Sequence, residues 1–92
     1  DMKVPNIYLG TGKTTIINLA TYFKPGNADF TCQVADETVA TVTEIAPGKY
    51  TVKGLKSGLT KAVATAKLNG GSATTQEFYI TVRTNAGGNG WL

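Results

Sequence analysis

The sequence predicts an all-β protein, a sandwich of two antiparallel sheets built from about seven strands. Three observations lead there. Threonine occurs fifteen times in 92 residues, and with valine and isoleucine it makes β-branched side chains the dominant local type, which favour a pleated backbone over a helix. Turn-forming residues recur at short intervals, at Gly10-Thr11-Gly12, Pro25-Gly26-Asn27, Asp36-Glu37, Pro47-Gly48, Lys56-Ser57-Gly58 and Asn69-Gly70-Gly71-Ser72. The segments between them are of about 5 to 9 residues, the length of ordinary strands. Within these segments apolar and polar residues alternate with period two, so each has one face to cover and one to leave wet.

The segments follow in order. Residues 4–9 and 13–18 read as the first two strands, and Gly10-Thr11-Gly12-Lys13 reads as the hairpin turn joining them. From Thr14 to Phe23 a second pattern overlaps the first, with Ile16, Ile17, Leu19, Ala20 and Phe23 at helical spacing. A strand followed by a short helical turn at residues 20–23 satisfies both. In the third segment, 30–35, Phe30, Cys32 and Val34 share a face against Thr31 and Gln33, and 39–44 forms the fourth strand. In the fifth, 49–55, Tyr50 and Val52 oppose Lys49, Thr51 and Lys53. In the sixth, 60–68, Ala62, Ala64 and Ala66 alternate with Lys61, Val63, Thr65 and Lys67, a small-residue face that lets two sheets approach closely. In the last, 75–84, Phe78, Ile80 and Val82 point one way and Glu77, Tyr79, Thr81 and Arg83 the other. The predicted core is Ile17, Leu19, Phe23, Phe30, Val42, Tyr50, Val52, Leu55, Phe78, Ile80 and Val82. Residues 1–84 make one domain, since a single core occupies roughly 100 to 150 residues and this chain is too short to split. Residues 85–92 are rich in glycine and asparagine and lack alternation, and are expected to be a flexible tail.

Composition excludes much chemistry. There is no histidine, which removes the commonest acid–base group near neutral pH and the commonest transition-metal ligand. The single cysteine, Cys32, can form no internal disulfide, and its alternating apolar setting makes it a small buried hydrophobe rather than a reactive thiol. The net charge of +3 comes from eight lysines spread along the chain and one arginine, Arg83. Nucleic-acid binding needs clustered cations, so none is expected. Lysines scattered along strands instead blunt edge-to-edge pairing. No stretch approaches the roughly 18 to 20 apolar residues of a membrane span, and Asp1-Met2-Lys3 does not begin a signal peptide, so any targeting segment would lie upstream.

Three motifs invite functional readings. Gly10-Thr11-Gly12-Lys13-Thr14-Thr15 resembles the end of a phosphate-binding loop, but the pattern requires a glycine five residues before Gly12, and Ile7 stands there. The acids Asp36 and Glu37 are adjacent, so on a strand they would face opposite ways, and in a turn they read as solvated or capping. Asn27-Ala28-Asp29 supplies two oxygen-bearing side chains, fewer than a calcium site needs. No cofactor and no metal are expected.

In their order, the segments resemble bacterial immunoglobulin-like and cadherin-like modules. Residues 17–23, Ile-Asn-Leu-Ala-Thr-Tyr-Phe, look like the family's "tvdLsxyF". Phe30-Thr31-Cys32 stands where the family has "LtY", Val39-Ala40-Thr41-Val42 where it has "vAtV", and residues 50–58 are similar to "LtItgLaaG". Thr60 to Leu68 followed by Phe78-Tyr79-Ile80-Thr81-Val82 looks like its closing "atiTvtAtd…tFtvtV". After Phe23, Lys24-Pro25-Gly26-Asn27 replaces the acidic run of calcium-binding relatives. The resemblance covers about residues 7–83. It implies an immunoglobulin-like topology and a non-enzymatic structural or adhesion module of a bacterial cell-surface or secreted protein, extracytoplasmic, that spaces or presents neighbouring domains of a longer chain. The alternative is a module that binds a glycan or a protein surface through exposed aromatic residues. Tyr8, Tyr22, Tyr79 and Trp91 are the candidates, because ring faces stack on sugars and anchor interfaces. Tyr79 and Trp91 are the ligand-contacting choices, Tyr79 because its segment places it on an outer face.

Overall fold

A computed structural model describes residues 2–23, 28–68 and 70–84. Trp91, the rest of 85–92, and the 24–27 segment that departs from the calcium-binding pattern lie outside the described residues.

Seven strands form: β1 (Ile7–Gly10), β2 (Thr14–Asn18), β3 (Asp29–Val34), β4 (Ala40–Ala46), β5 (Lys49–Gly54), β6 (Gly58–Lys67) and β7 (Ala73–Arg83). They lie in two sheets, of order β1-β7-β6-β3 and β2-β5-β4. Strand and helical patterns both hold in the overlapping stretch: β2 runs into one 3-10 turn, Leu19–Thr21. The Asn18 side chain caps this turn, accepting from the Ala20 amide at 3.1 Å.

Two expectations about the start of the chain are corrected. The sheets are not wholly antiparallel, because β1 runs parallel to β7, with Ile7 beside Ile80 and Gly10 beside Arg83. Nor do β1 and β2 form a hairpin. Gly10 to Lys13 is a tight turn that carries the chain from one sheet to the other, with Gly12 at φ +78°, a conformation that suits glycine. The turn is tied to both layers: the Thr11 amide donates to the Arg83 carbonyl at 3.0 Å, and the Gly12 amide to the Gly54 carbonyl at 2.8 Å. Gly10-Thr11-Gly12 marks a reversal of the chain, but punctuation does not say whether the next strand pairs with the last or crosses the core.

Ahead of β1 the chain is held by a backbone bond, from the Met2 amide to the Tyr22 carbonyl at 3.0 Å, and otherwise by side chains rather than by a ladder. Proline at position 5 has no amide to donate. Instead the Gln76 side-chain amide grips the segment from both ends, donating to the Met2 carbonyl at 2.8 Å and accepting from the Val4 amide at 2.7 Å. Asn6 Oδ1 accepts from the Tyr79 amide at 2.9 Å. This anchoring turns Val4 fully inward.

The interior follows the alternation. Ile17, Leu19, Phe23, Phe30, Tyr50, Val52, Phe78, Ile80 and Val82 are buried, as are Ala62, Ala64 and Ala66. Each fully buried large side chain contributes roughly 1.5–3 kcal/mol relative to exposure. Two predicted core residues differ. Val42 is only partly buried, packed against the core from β4, the sheet edge. Leu55 is 39% exposed, because Tyr50, Val52 and Gly54 take the inward positions of β5 and the residue after Gly54 must face out. Val4, Leu9, Val39 and Ala40 complete the core. Gly54 is itself buried at a close approach: a Cβ there would lie 2.9 Å from the Gly10 carbonyl oxygen and 3.0 Å from Val82 Cγ1. A polar bond crosses the interior, where the Tyr50 hydroxyl of β5 donates to the Phe30 carbonyl of β3 at 3.0 Å. Burial, and secondarily the Glu44 carboxylate, raise the Tyr50 phenol above its ordinary value.

Candidate functional site

Several sequence motifs resolve into structure. The turn from Gly10 to Lys13 has its amides engaged: Thr11 and Gly12 donate to Arg83 and Gly54, and Lys13 to the Gly10 carbonyl at 3.1 Å. A phosphate cradle requires such amides to be free and converging. Asp36 caps a turn, accepting from the Thr38 amide at 3.0 Å and from the Thr38 hydroxyl. Those two hydrogen bonds, the hydroxyl first, hold its carboxyl below the ordinary value. Cys32 is half-buried on the inner face of β3 opposite Ala64, and burial pushes its thiol up to about 11, which keeps it protonated and unreactive near neutral pH. Among the described residues no three side chains of the kinds that ligate metals gather.

The outer face of the four-stranded sheet is different. Strand register lays out its side chains in rows. Tyr8, Thr81 and Leu59 form a row across β1, β7 and β6, and Tyr79 and Lys61 form the next. Below them come Glu77, Val63 and Gln33, then Thr75, Thr65 and Thr31. Tyr8 is 68% exposed, Leu59 62% and Tyr79 43%. Tyr8 and Tyr79 sit on neighbouring strands two register steps apart, which puts their Cα atoms about 8 Å from each other by ordinary sheet spacing. Lys61 Nζ lies 3.7 Å from Glu77 Oε1, an exposed pair worth little to stability but one that balances charge beside the rings.

The structure therefore brings Tyr8 and Tyr79 together and places both on a wetted face. Tyr22 does not join them, being half-buried against the core. The sequence offers Tyr8 and Tyr79 as separate candidates and does not pair them, since their proximity depends on the parallel register of β1 with β7. Among the described residues the opposite outer face, of β2-β5-β4, carries no aromatic ring: its rows include Thr14, Lys53 and Thr41, then Ile16, Thr51 and Thr43. Open grooves run along the flanks of the described residues. One of about 650 Å³ lies between the edges of β1 and β2, where Pro5, Ile16 and Tyr22 contribute to its walls, and one of about 590 Å³ lies beside Phe30 and Glu44.

No known family profile matches the sequence, and no curated protein matches it. Solved structures do match. The PKD domain from the KIAA 1837 protein superposes with a TM-score of 0.68 at 13% identity, covering 91% of this chain and 85% of that one. The fold is immunoglobulin-like. Two larger proteins contain a similar immunoglobulin-like unit. An endo-fucoidan hydrolase of glycoside hydrolase family 107 matches with a TM-score of 0.56 at 14% identity over 91% of this chain. A nucleoside hydrolase-related protein from Saccharophagus degradans, described as associated with carbohydrate metabolism, matches with a TM-score of 0.53 at 11% identity over 87%. The chain spans 13% and 22% of the length of those two proteins. Among the described residues no helix is long and apolar enough to cross a membrane.

Proposed function

We propose that this immunoglobulin-like domain, residues 1–84, is a non-enzymatic structural or adhesion module of a bacterial cell-surface or secreted protein, and that it spaces or presents neighbouring domains of a longer chain. The observation that carries the reading is the parallel pairing of β1 with β7. Parallel first and last strands make the chain enter at one pole of the sandwich and leave at the other, so domains attached at the two ends are held apart by its length. The match to a PKD domain over nearly its whole length, and to small portions of two larger proteins, supports a unit that occurs beside other domains. Small-angle scattering on two copies joined in tandem tests it: a maximum dimension close to twice that of one copy supports a spacer, and a folded-back pair of globular dimensions overturns it.

A second reading is that the module binds a glycan or a protein surface through exposed aromatics. The Tyr8 and Tyr79 pair on one wetted face favours it, as do the carbohydrate associations of the two larger proteins that contain a similar unit.

A further inference from the structure

Building on that second reading, we infer that the outer face of β1-β7-β6 is a binding platform for a neutral glycan chain, with sugar rings stacked on Tyr8 and Tyr79 and hydroxyls bonded to Thr81, Lys61 and Glu77. A sugar ring presents a C–H face ringed by hydroxyls, and it wants a flat aromatic surface bordered by donors and acceptors. The register supplies that pattern. Thr81 stands directly beside Tyr8, Lys61 directly beside Tyr79, and Glu77 within 3.7 Å of Lys61. The rings, about 8 Å apart by strand spacing, suit separate units of one oligosaccharide laid diagonally across two strands.

Charge selects the class. Lys61 is balanced by Glu77, and in the lowest row Lys67 stands opposite Asp29. Among the described strand residues of this face, Arg83, at the upper end of β7, is the cation with no acid beside it in the register. A polyanion such as a sulfated glycan or nucleic acid needs several clustered cations, and this face does not provide them. A protein partner is disfavoured by the same rows. A stable interface takes roughly 800 Å² from each side with a centre poor in charge. Here Lys61, Glu77 and Thr81 stand beside Tyr79 in the middle of the face, and Thr81 lies between Tyr8 and Leu59.

The test is affinity electrophoresis and titration calorimetry of the full chain against soluble neutral polysaccharides (laminarin, xyloglucan, galactomannan) and against fucoidan and polygalacturonate. The variants are Tyr8→Ala, Tyr79→Ala and the double substitution, with Ile16→Ala on the opposite face as control and circular dichroism to confirm folding. Support is retardation by a neutral glycan that weakens about three- to tenfold with either tyrosine removed, vanishes in the double variant, and is unchanged by Ile16→Ala. Neutral-glycan binding that survives the double variant overturns the platform. Binding confined to fucoidan or polygalacturonate and lost with the tyrosines overturns the neutral class, yet leaves the aromatic face as a ligand site. If no glycan binds, the inference fails. Sedimentation then decides the broader reading: self-association abolished by the double variant makes the face a protein interface, and a monomer throughout removes it as a binding surface.

Discussion

The two sheets contribute unlike material to one interior. The four-stranded sheet offers a row of small side chains, Ala62, Ala64 and Ala66 along β6, flanked on β7 and β3 by Phe78 and Phe30. The three-stranded sheet offers Ile17, Tyr50 and Val52, and Tyr50 extends far enough to place its hydroxyl on a backbone carbonyl of the opposite layer. A bulky residue on one side is thus matched by small ones on the other, as close packing requires. The lesson concerns alanine, whose modest hydrophobicity belies its place: Ala62 and Ala64 are fully buried and Ala66 nearly so, because what they contribute is room.

Four experiments break or sharpen that contrast. The largest effect belongs to Phe78→Ala, which empties a side chain only 1% exposed and costs about 3–5 kcal/mol in urea denaturation; a loss below about 1 kcal/mol would show that β7 does not anchor the interior. Next comes Ala64→Leu, which adds volume where the small row leaves space for the other sheet. It costs about 1–3 kcal/mol by overpacking, and a neutral result would mean that the row is a cavity rather than a fit. Tyr50→Phe keeps the ring and removes the cross-layer hydrogen bond, for a loss of about 0.5–1.5 kcal/mol and faster amide exchange in β3. Unchanged stability and exchange would leave the interior between the sheets held by apolar contact alone. The smallest effect lies outside both sheets. Asp36 has a folded value below its ordinary 3.8, so the stability it confers is present above that value and is lost as pH falls through the lowered one. In melting temperatures followed down from pH 6, Asp36→Ala therefore shows a shallower decline below about pH 4 than the unaltered protein. Parallel curves for the two would remove the Thr38 cap as a source of stability.

Much of this architecture is legible in residues. Alternation alone orients β3, β5, β6 and β7, and it explains why Leu55 faces water: counting by twos from Tyr50 reaches Gly54, and hydrophobicity does not override the pleat. Val4 and the edge strand β1 were harder. Pro5 interrupts the period, and partners distant in sequence, the Gln76 side chain and the Tyr79 amide that Asn6 accepts from, decide how the first residues lie. Partner choice was harder still, because the parallel seating of β1 on β7 rests on contacts across some seventy residues. The candidate site inherits that difficulty. Tyr79 could be placed on an outer face from its own strand, whereas Tyr8, also a candidate from the sequence, became its neighbour only once the topology was known.

The turn from Gly10 to Lys13 works as a rivet. By gripping Arg83 in one layer and Gly54 in the other, it stops the sheets from sliding past each other at that pole. Loosening it with inserted residues would let the layers creep while each kept its own ladder intact.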